Sequence, residues 1–299
     1  MMLQDFNYQI LGRKGAPWLV FLHGLLGSAA NWRRITPAFE ENFQILTFDQ
    51  RGHGKSFRPS EGYAPSDFAG DLKFLFDALG IPRASVVGHS MGGRNAMAFA
   101  HLYPQNVEKL VIEDIGPSGS LPGRDAGPML GFVEGMGPEP QFQMSGPDVQ
   151  SEEEGENGEN GENQLISLLL KIPAPFKDRK SARDYFMNEF QDPKLGNFLM
   201  TNFVLNAGGQ FIWGVNLQKI IEIIKQGRIY ATWSVLQSLT CPILVLRGEL
   251  STDLPLERFE KMKTSNVHVQ GVEIAGAGHL VHADRPDQFI EVLRNFLSK

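Results

Sequence analysis

At 299 residues, with 42% hydrophobic and 21% charged residues, the chain is long enough for a large core, and its composition argues against both wholesale disorder and a membrane protein. No apolar run reaches the length of a membrane span, the amino terminus lacks a signal-peptide order, and the lone cysteine, Cys241, fits a reducing compartment, so a cytoplasmic protein is expected. The net charge of −6 is matched by Glu152, Glu153, Glu154, Glu156, Glu159 and Glu162 alone, which leaves the rest of the chain near neutral and without the basic footprint of a nucleic-acid binder.

An unbroken apolar run at Trp18 to Leu22 and a second, largely apolar one at Gln44 to Phe48 read as strands covered on both faces, as in a parallel sheet. Phe68, Leu72, Leu75, Phe76 and Leu79 then share one helical face, with Ser66 or Asp67 as the cap. Ala84 to Val87 repeats the strand pattern, Gly93 to Tyr103 is helical, and Lys109 to Ile112 is a further strand. This alternation predicts a doubly wound, mostly parallel α/β domain.

The pattern stops after Ile115-Gly116-Pro117. A Gly-, Pro- and Met-rich stretch leads into repeated Glu-Asn-Gly triplets, expected to form a mobile loop over 150–164 because so polar a segment recovers little of its ordering entropy by burial. Helical patterns resume at Leu165 to Ile172, Ser181 to Phe190, Asn197 to Phe203 and Leu217 to Ile224, with a hairpin from Phe203 to Trp213 turning at Ala207-Gly208-Gly209. The α/β alternation returns near Cys241, which is expected to be a small buried residue at the start of a strand over Ile243 to Leu246. A strand at Val267 to Ile274 and a helix from Pro286 to Leu297, capped by Asp284, close the chain. The expected division is a core over 1–117 and 239–299, interrupted by a mainly helical cap over 118–238.

Between the strand at Ala84 and the helix at Gly93 lies Gly88-His89-Ser90-Met91-Gly92. A serine on a sharp strand-to-helix turn projects above the sheet, and the following helix aims its amides at developing negative charge. Ser90 is therefore the candidate nucleophile, and Met91 supplies one backbone N–H of an oxyanion hole. Leu25, in the loop Leu22-His23-Gly24-Leu25-Leu26-Gly27, supplies the second, with His23 orienting that loop and counted among the candidate pocket residues. A serine needs a base. His279, in the loop Ala275 to His279 after the last strand, is the expected one, while His282 reads as a pocket or structural residue and His101 as a packed helical one.

The acid is open among three residues. The usual position, three past Gly248, is Ser251, flanked by Glu249 and Asp253; Asp114, at the end of the strand at Lys109, is favoured. Phe198, Phe203, Phe211, Ile212 and Trp213 are candidates for an apolar acyl site, or simply for the packing of the cap. No metal or organic cofactor is needed for this chemistry.

Through Phe21-Leu22-His23-Gly24, Asp49-Gln50-Arg51-Gly52-His53-Gly54-Lys55-Ser56, Gly88-His89-Ser90-Met91-Gly92-Gly93 and Ala277-Gly278-His279 the chain resembles the α/β-hydrolase superfamily. Glu113-Asp114-Ile115-Gly116-Pro117 and the stretch Gly278 to Pro286 are similar to a narrower group of small bacterial esterases and acyl-CoA thioesterases with mitochondrial relatives. The resemblance implies an α/β-hydrolase fold and cleavage of a small-molecule ester or thioester. It also implies that a serine replaces the late carboxylate while the earlier strand carries the acid, which points to Asp114. A C–C bond hydrolase or lyase on the same residues, or a non-catalytic receptor on the same fold, are the alternative functions.

Overall fold

The apolar runs become strands because, buried on both faces, they must satisfy their backbone N–H and C=O groups within the sheet. In the computed structural model, which describes residues 1–119, 121, 166–189, 193–227 and 232–298, the strands are β1 (Tyr8–Gly12), β2 (Trp18–Leu22), β3 (Gln44–Phe48), β4 (Ala84–His89), β5 (Val107–Glu113), β6 (Phe203–Leu205), β7 (Phe211–Trp213), β8 (Ile243–Gly248) and β9 (Val269–Ile274). Seven form one sheet in the order β1-β3-β2-β4-β5-β8-β9. All its pairs are parallel except β1 with β3. β1 is absent from the sequence reading because, as an edge strand, it buries little and offers no continuous apolar run.

Helices α1 (Pro65–Leu79), α2 (Met91–Leu102), α7 (Trp233–Ser238) and α8 (Leu256–Ser265) cover one face, burying Leu72, Phe76, Phe99, Leu236 and Phe259 against Val20, Val86 and Leu110. On the other face Trp32, Ile35 and Phe39 join α9 (Val281–Asp284) and α10 (Pro286–Leu297), whose Phe289, Leu293 and Phe296 pack on Leu19, Phe21, Val87 and Leu244. The sheet is thus doubly wound.

Several boundaries differ from expectation. α1 is capped at Ala64, with Pro65 in the first turn and the Asp67 carboxylate accepting the Ala64 N–H at 2.9 Å, so Asp67 completes the cap from inside the helix. α10 starts after Arg285, and the Asp284 carboxylate instead accepts the Gly278 N–H at 2.9 Å. β9 begins only at Val269, since Val267 is almost fully exposed. Cys241 is half-buried and precedes β8 by two residues; burial pushes its thiol up to about 11. His101, expected to be packed, is exposed, with its Nδ1 2.9 Å from the Ser238 hydroxyl.

Between β5 and α7 the described residues form a separate layer. It holds a helical stretch over 166–171 (α3), α4 (Arg179–Glu189), α5 (Pro193–Met200), the β6–β7 hairpin and α6 (Leu217–Gln226). α5 ends at Met200 and Phe203 opens β6, so the helix expected over Asn197 to Phe203 lies earlier in the chain, over Pro193–Met200. The hairpin turns at Gly209, whose φ of 78° requires a residue without a side chain. The Glu-Asn-Gly tract lies outside the described residues. Among the described residues no helix is long and apolar enough to cross a membrane.

Candidate active site

The carboxyl ends of β2, β4, β5, β8 and β9 all open on one edge of the sheet. The chain leaves β2 towards β3 on one side and returns to β4 on the other, and such a reversal creates a crevice above the strand ends. Register fixes the residues there: Leu22 pairs with Gly88, His89 with Glu113, and Glu113 with Leu246.

Ser90 occupies the turn from β4 to α2 with φ 52° and ψ −119°. Among the described residues, the non-glycine residues with positive φ are Leu26, Ser90 and Asp114, one each on the loops after β2, β4 and β5. Such backbone costs about 1–3 kcal/mol per residue, so its concentration at one edge marks a site held against local preference. Ser90 donates its N–H to the Glu113 carbonyl at 2.9 Å. Met91 opens α2, where a first-turn N–H has no carbonyl of its own helix to reach.

Across the crevice, the Leu25–Leu26 loop is pinned from below and above. His23 accepts the Gln50 N–H at Nε2 (2.9 Å) and therefore donates from Nδ1 to the Gly24 carbonyl (2.8 Å). Both ring nitrogens are engaged, and burial lowers its pKa, so His23 is a neutral support for the loop and not part of a pocket wall. From the other layer, Asn202 donates to the Leu26 carbonyl at 2.9 Å.

His279 follows β9, and its Nδ1 lies 2.9 Å from Asp114 Oδ2, leaving Nε2 as the free ring nitrogen. Asp114 is fully buried and held on each oxygen: Oδ1 accepts the Gly248 N–H at 2.8 Å and Oδ2 accepts the Ser251 hydroxyl. Ser251, at the position where a late carboxylate was expected, thus serves a carboxylate on the neighbouring strand. Asp253 Oδ2 lies 3.5 Å from His279 Nδ1 on a half-exposed side chain. Glu249 points elsewhere and accepts the Gly276 N–H at 2.7 Å. Burial pulls the His279 pKa down, but the Asp114 hydrogen bond and the charges of Asp253, Asp114 and Glu113 outweigh it and hold it above the ordinary 6.5.

A layer beneath was not legible in the sequence. Glu113 and His282 are both buried; His282 Nδ1 lies 2.8 and 3.0 Å from the two Glu113 oxygens, and the His282 backbone N–H also donates to Glu113 at 2.8 Å. The pair fastens the loop carrying His279 to β5. His89 donates from Nε2 to the His279 carbonyl at 3.0 Å, and burial with the neighbouring His279 and His282 holds its pKa well below 6.5. Asp114, Asp253 and His279 bring one atom each within 4.8 Å of one another, a spacing that could hold a cation. Here Asp114 is already committed to Ser251, Gly248 and His279.

The alpha/beta hydrolase fold family model matches residues 17–286. The chain belongs to the alpha/beta hydrolase family. It is 29% identical over 296 residues to the mouse sn-1-specific diacylglycerol lipase ABHD11, covering 98% of this chain and 85% of the relative. A putative esterase/lipase of Haemophilus influenzae is 28% identical, covering 98% and 88%. Among solved structures, a marine microorganism esterase superposes with a TM-score of 0.75 at 26% identity, covering 97% of this chain and 98% of the other.

In this hydrolase the aromatic candidates divide. Phe203 and Phe211 are buried and stack at 5.4 Å inside the helical layer's own core with Phe176 and Phe186, so they are packing residues. Phe198, Ile212 and Trp213 stay partly exposed. The same cluster includes Leu26 and Met91, with Leu25 packed against it, which ties the layer to both loops flanking Ser90.

Proposed function

We propose that this hydrolase cleaves carboxylic ester or acyl thioester bonds through an acyl-enzyme on Ser90. The observation that carries the reading is the left-handed Ser90 at the start of α2, on the same edge of the sheet as a His279 imidazole held by a buried carboxylate. Ser90 Oγ attacks the carbonyl carbon while His279 Nε2 takes its proton. The Leu25 and Met91 amides hold the oxyanion, and His279 returns the proton to the leaving alcohol or thiol. Water, deprotonated by His279, then releases the acid. Asp114 keeps the Nδ1–H tautomer and steadies the imidazolium. The lipase and esterase names of the relatives support an ester over a C–C bond as the scissile group. Phe198, Ile212 and Trp213 are the apolar groups available to an acyl chain.

A fluorophosphonate probe is expected to label the protein once, on the peptide containing Ser90, as read by mass spectrometry. Labelling elsewhere, or none, overturns the assignment. The pH dependence has a definite sign. The base must be neutral, and its neighbours hold the proton, so kcat/KM on p-nitrophenyl butyrate falls as pH drops through a value above 6.5. An inflection at or below 6.5 contradicts this account of His279.

A further inference from the structure

The imidazole of His279 faces more carboxylate than one base needs. Asp114 makes the short contact at 2.9 Å, and Asp253 reaches the same nitrogen from the loop after β8 at 3.5 Å. The two differ in environment: Asp114 is fully buried and its side chain half-encircled by donors, whereas Asp253 is half-exposed. Nor is Asp253 loosely placed. The Ser251 hydroxyl donates to Asp114 Oδ2 and accepts the Asp253 N–H at 3.2 Å, so one side chain sets the position of both acids.

We propose that Asp253 is a second carboxylate of the His279 base, a positioning residue that adds to the charge held at Nδ1 and partly replaces Asp114 when that residue is lost. This rests on the reading of His279 as the base. A half-exposed charge acts through screened Coulomb attraction, so its influence weakens with salt, while the buried Asp114 bond does not. The other charged or titratable groups around His279 are Glu113 from the end of β5, the neutral His89 from the end of β4, and His282 on its own loop. Glu113 is fully buried against His282, which leaves the half-exposed Asp253 as the solvent-facing carboxylate of the group.

Two readouts test the proposal. The first is the imidazole titration of His279, followed by NMR on histidine-labelled Ser90→Ala protein with and without Asp253→Asn. The titration is expected to move to lower pH on removing Asp253, and to respond to added NaCl only while Asp253 is present. The second is kcat/KM on p-nitrophenyl butyrate for Asp114→Asn and for Asp114→Asn/Asp253→Asn. The single variant is expected to retain at least about tenfold more activity than the double, the non-additivity of groups sharing one partner. An unmoved titration overturns the proposal, and so do equal activities of the two variants. Asp253 is half-exposed, so its substitution leaves the fold intact and the titration decides even where Asp114→Asn does not fold. Failure of Ser90 as nucleophile would appear separately, as activity retained by Ser90→Ala, while the titration still reports on Asp253.

Discussion

Ser90→Ala is expected to lower kcat on p-nitrophenyl acetate or butyrate by about 10⁴- to 10⁶-fold, the range seen when the nucleophile of such a relay is removed. The magnitude follows from dependence: with no hydroxyl at position 90, the His279–Asp114 pair and the two amides have no covalent step to assist. The fold is expected to survive, because Ser90 contributes backbone to the turn and its side chain is only partly buried. Ser90→Gly sharpens the test. Its φ of 52° and ψ of −119° strain any residue with a Cβ. Glycine relieves that strain, so the variant is expected to be inactive and yet more stable by about 1 kcal/mol. Urea unfolding beside kinetics checks both. Retained turnover in either variant removes Ser90 as nucleophile. A less stable glycine variant would mean that the turn is not strained and serves only to connect β4 to α2.

Legibility in the sequence followed burial. β2, β3, β4, β5 and β8 are apolar on both faces, and a run of that kind is visible without knowledge of partners. β1 pairs on one side only, and its half-exposed residues carry no such run. At the site, Ser90 stands out because strand, glycines and helix are contiguous, whereas the acid depends on which loops meet. Counting from Gly248 leads to Ser251 and leaves Asp114, Asp253 and Glu249 open; only folding shows that Ser251 serves Asp114 and that Glu249 turns away to Gly276. His282 was readable as a pocket or structural residue, but its pairing with Glu113 was not, for the same reason. They lie 169 positions apart, and a buried glutamate at a strand end has no local signature. The aromatics of the helical layer stayed open between two roles for a different reason: an acyl site and a packed core use the same residue types, and Phe203 and Phe211 pack in the latter.

Gly92→Ala is expected to damage activity and stability together. A Cβ at Gly92 would sit 2.4 Å from the Leu22 carbonyl oxygen, 2.6 Å from that of His23 and 2.8 Å from the Leu22 carbonyl carbon. All three are backbone atoms, so no side chain can swing aside. Either α2 retreats from β2, taking the Met91 amide with it, or the end of β2 shifts and carries Leu25 away. Both outcomes separate the two amides proposed to hold the oxyanion, and losing one such donor costs about 10²- to 10³-fold in kcat. The overlap should also lower stability by about 1–3 kcal/mol, as over-packed sites do. Gly70→Ala is the control. It lies within α1 with nothing inside 4 Å of the added Cβ, so the same change there should stabilise the protein by about 0.5–1 kcal/mol and leave kinetics untouched. If Gly92→Ala matches wild type in kcat/KM, the close approach of α2 to the end of β2 does not set the oxyanion geometry. Loss of activity with KM nearly unchanged is the expected signature, since the amides act on charge that develops only after binding.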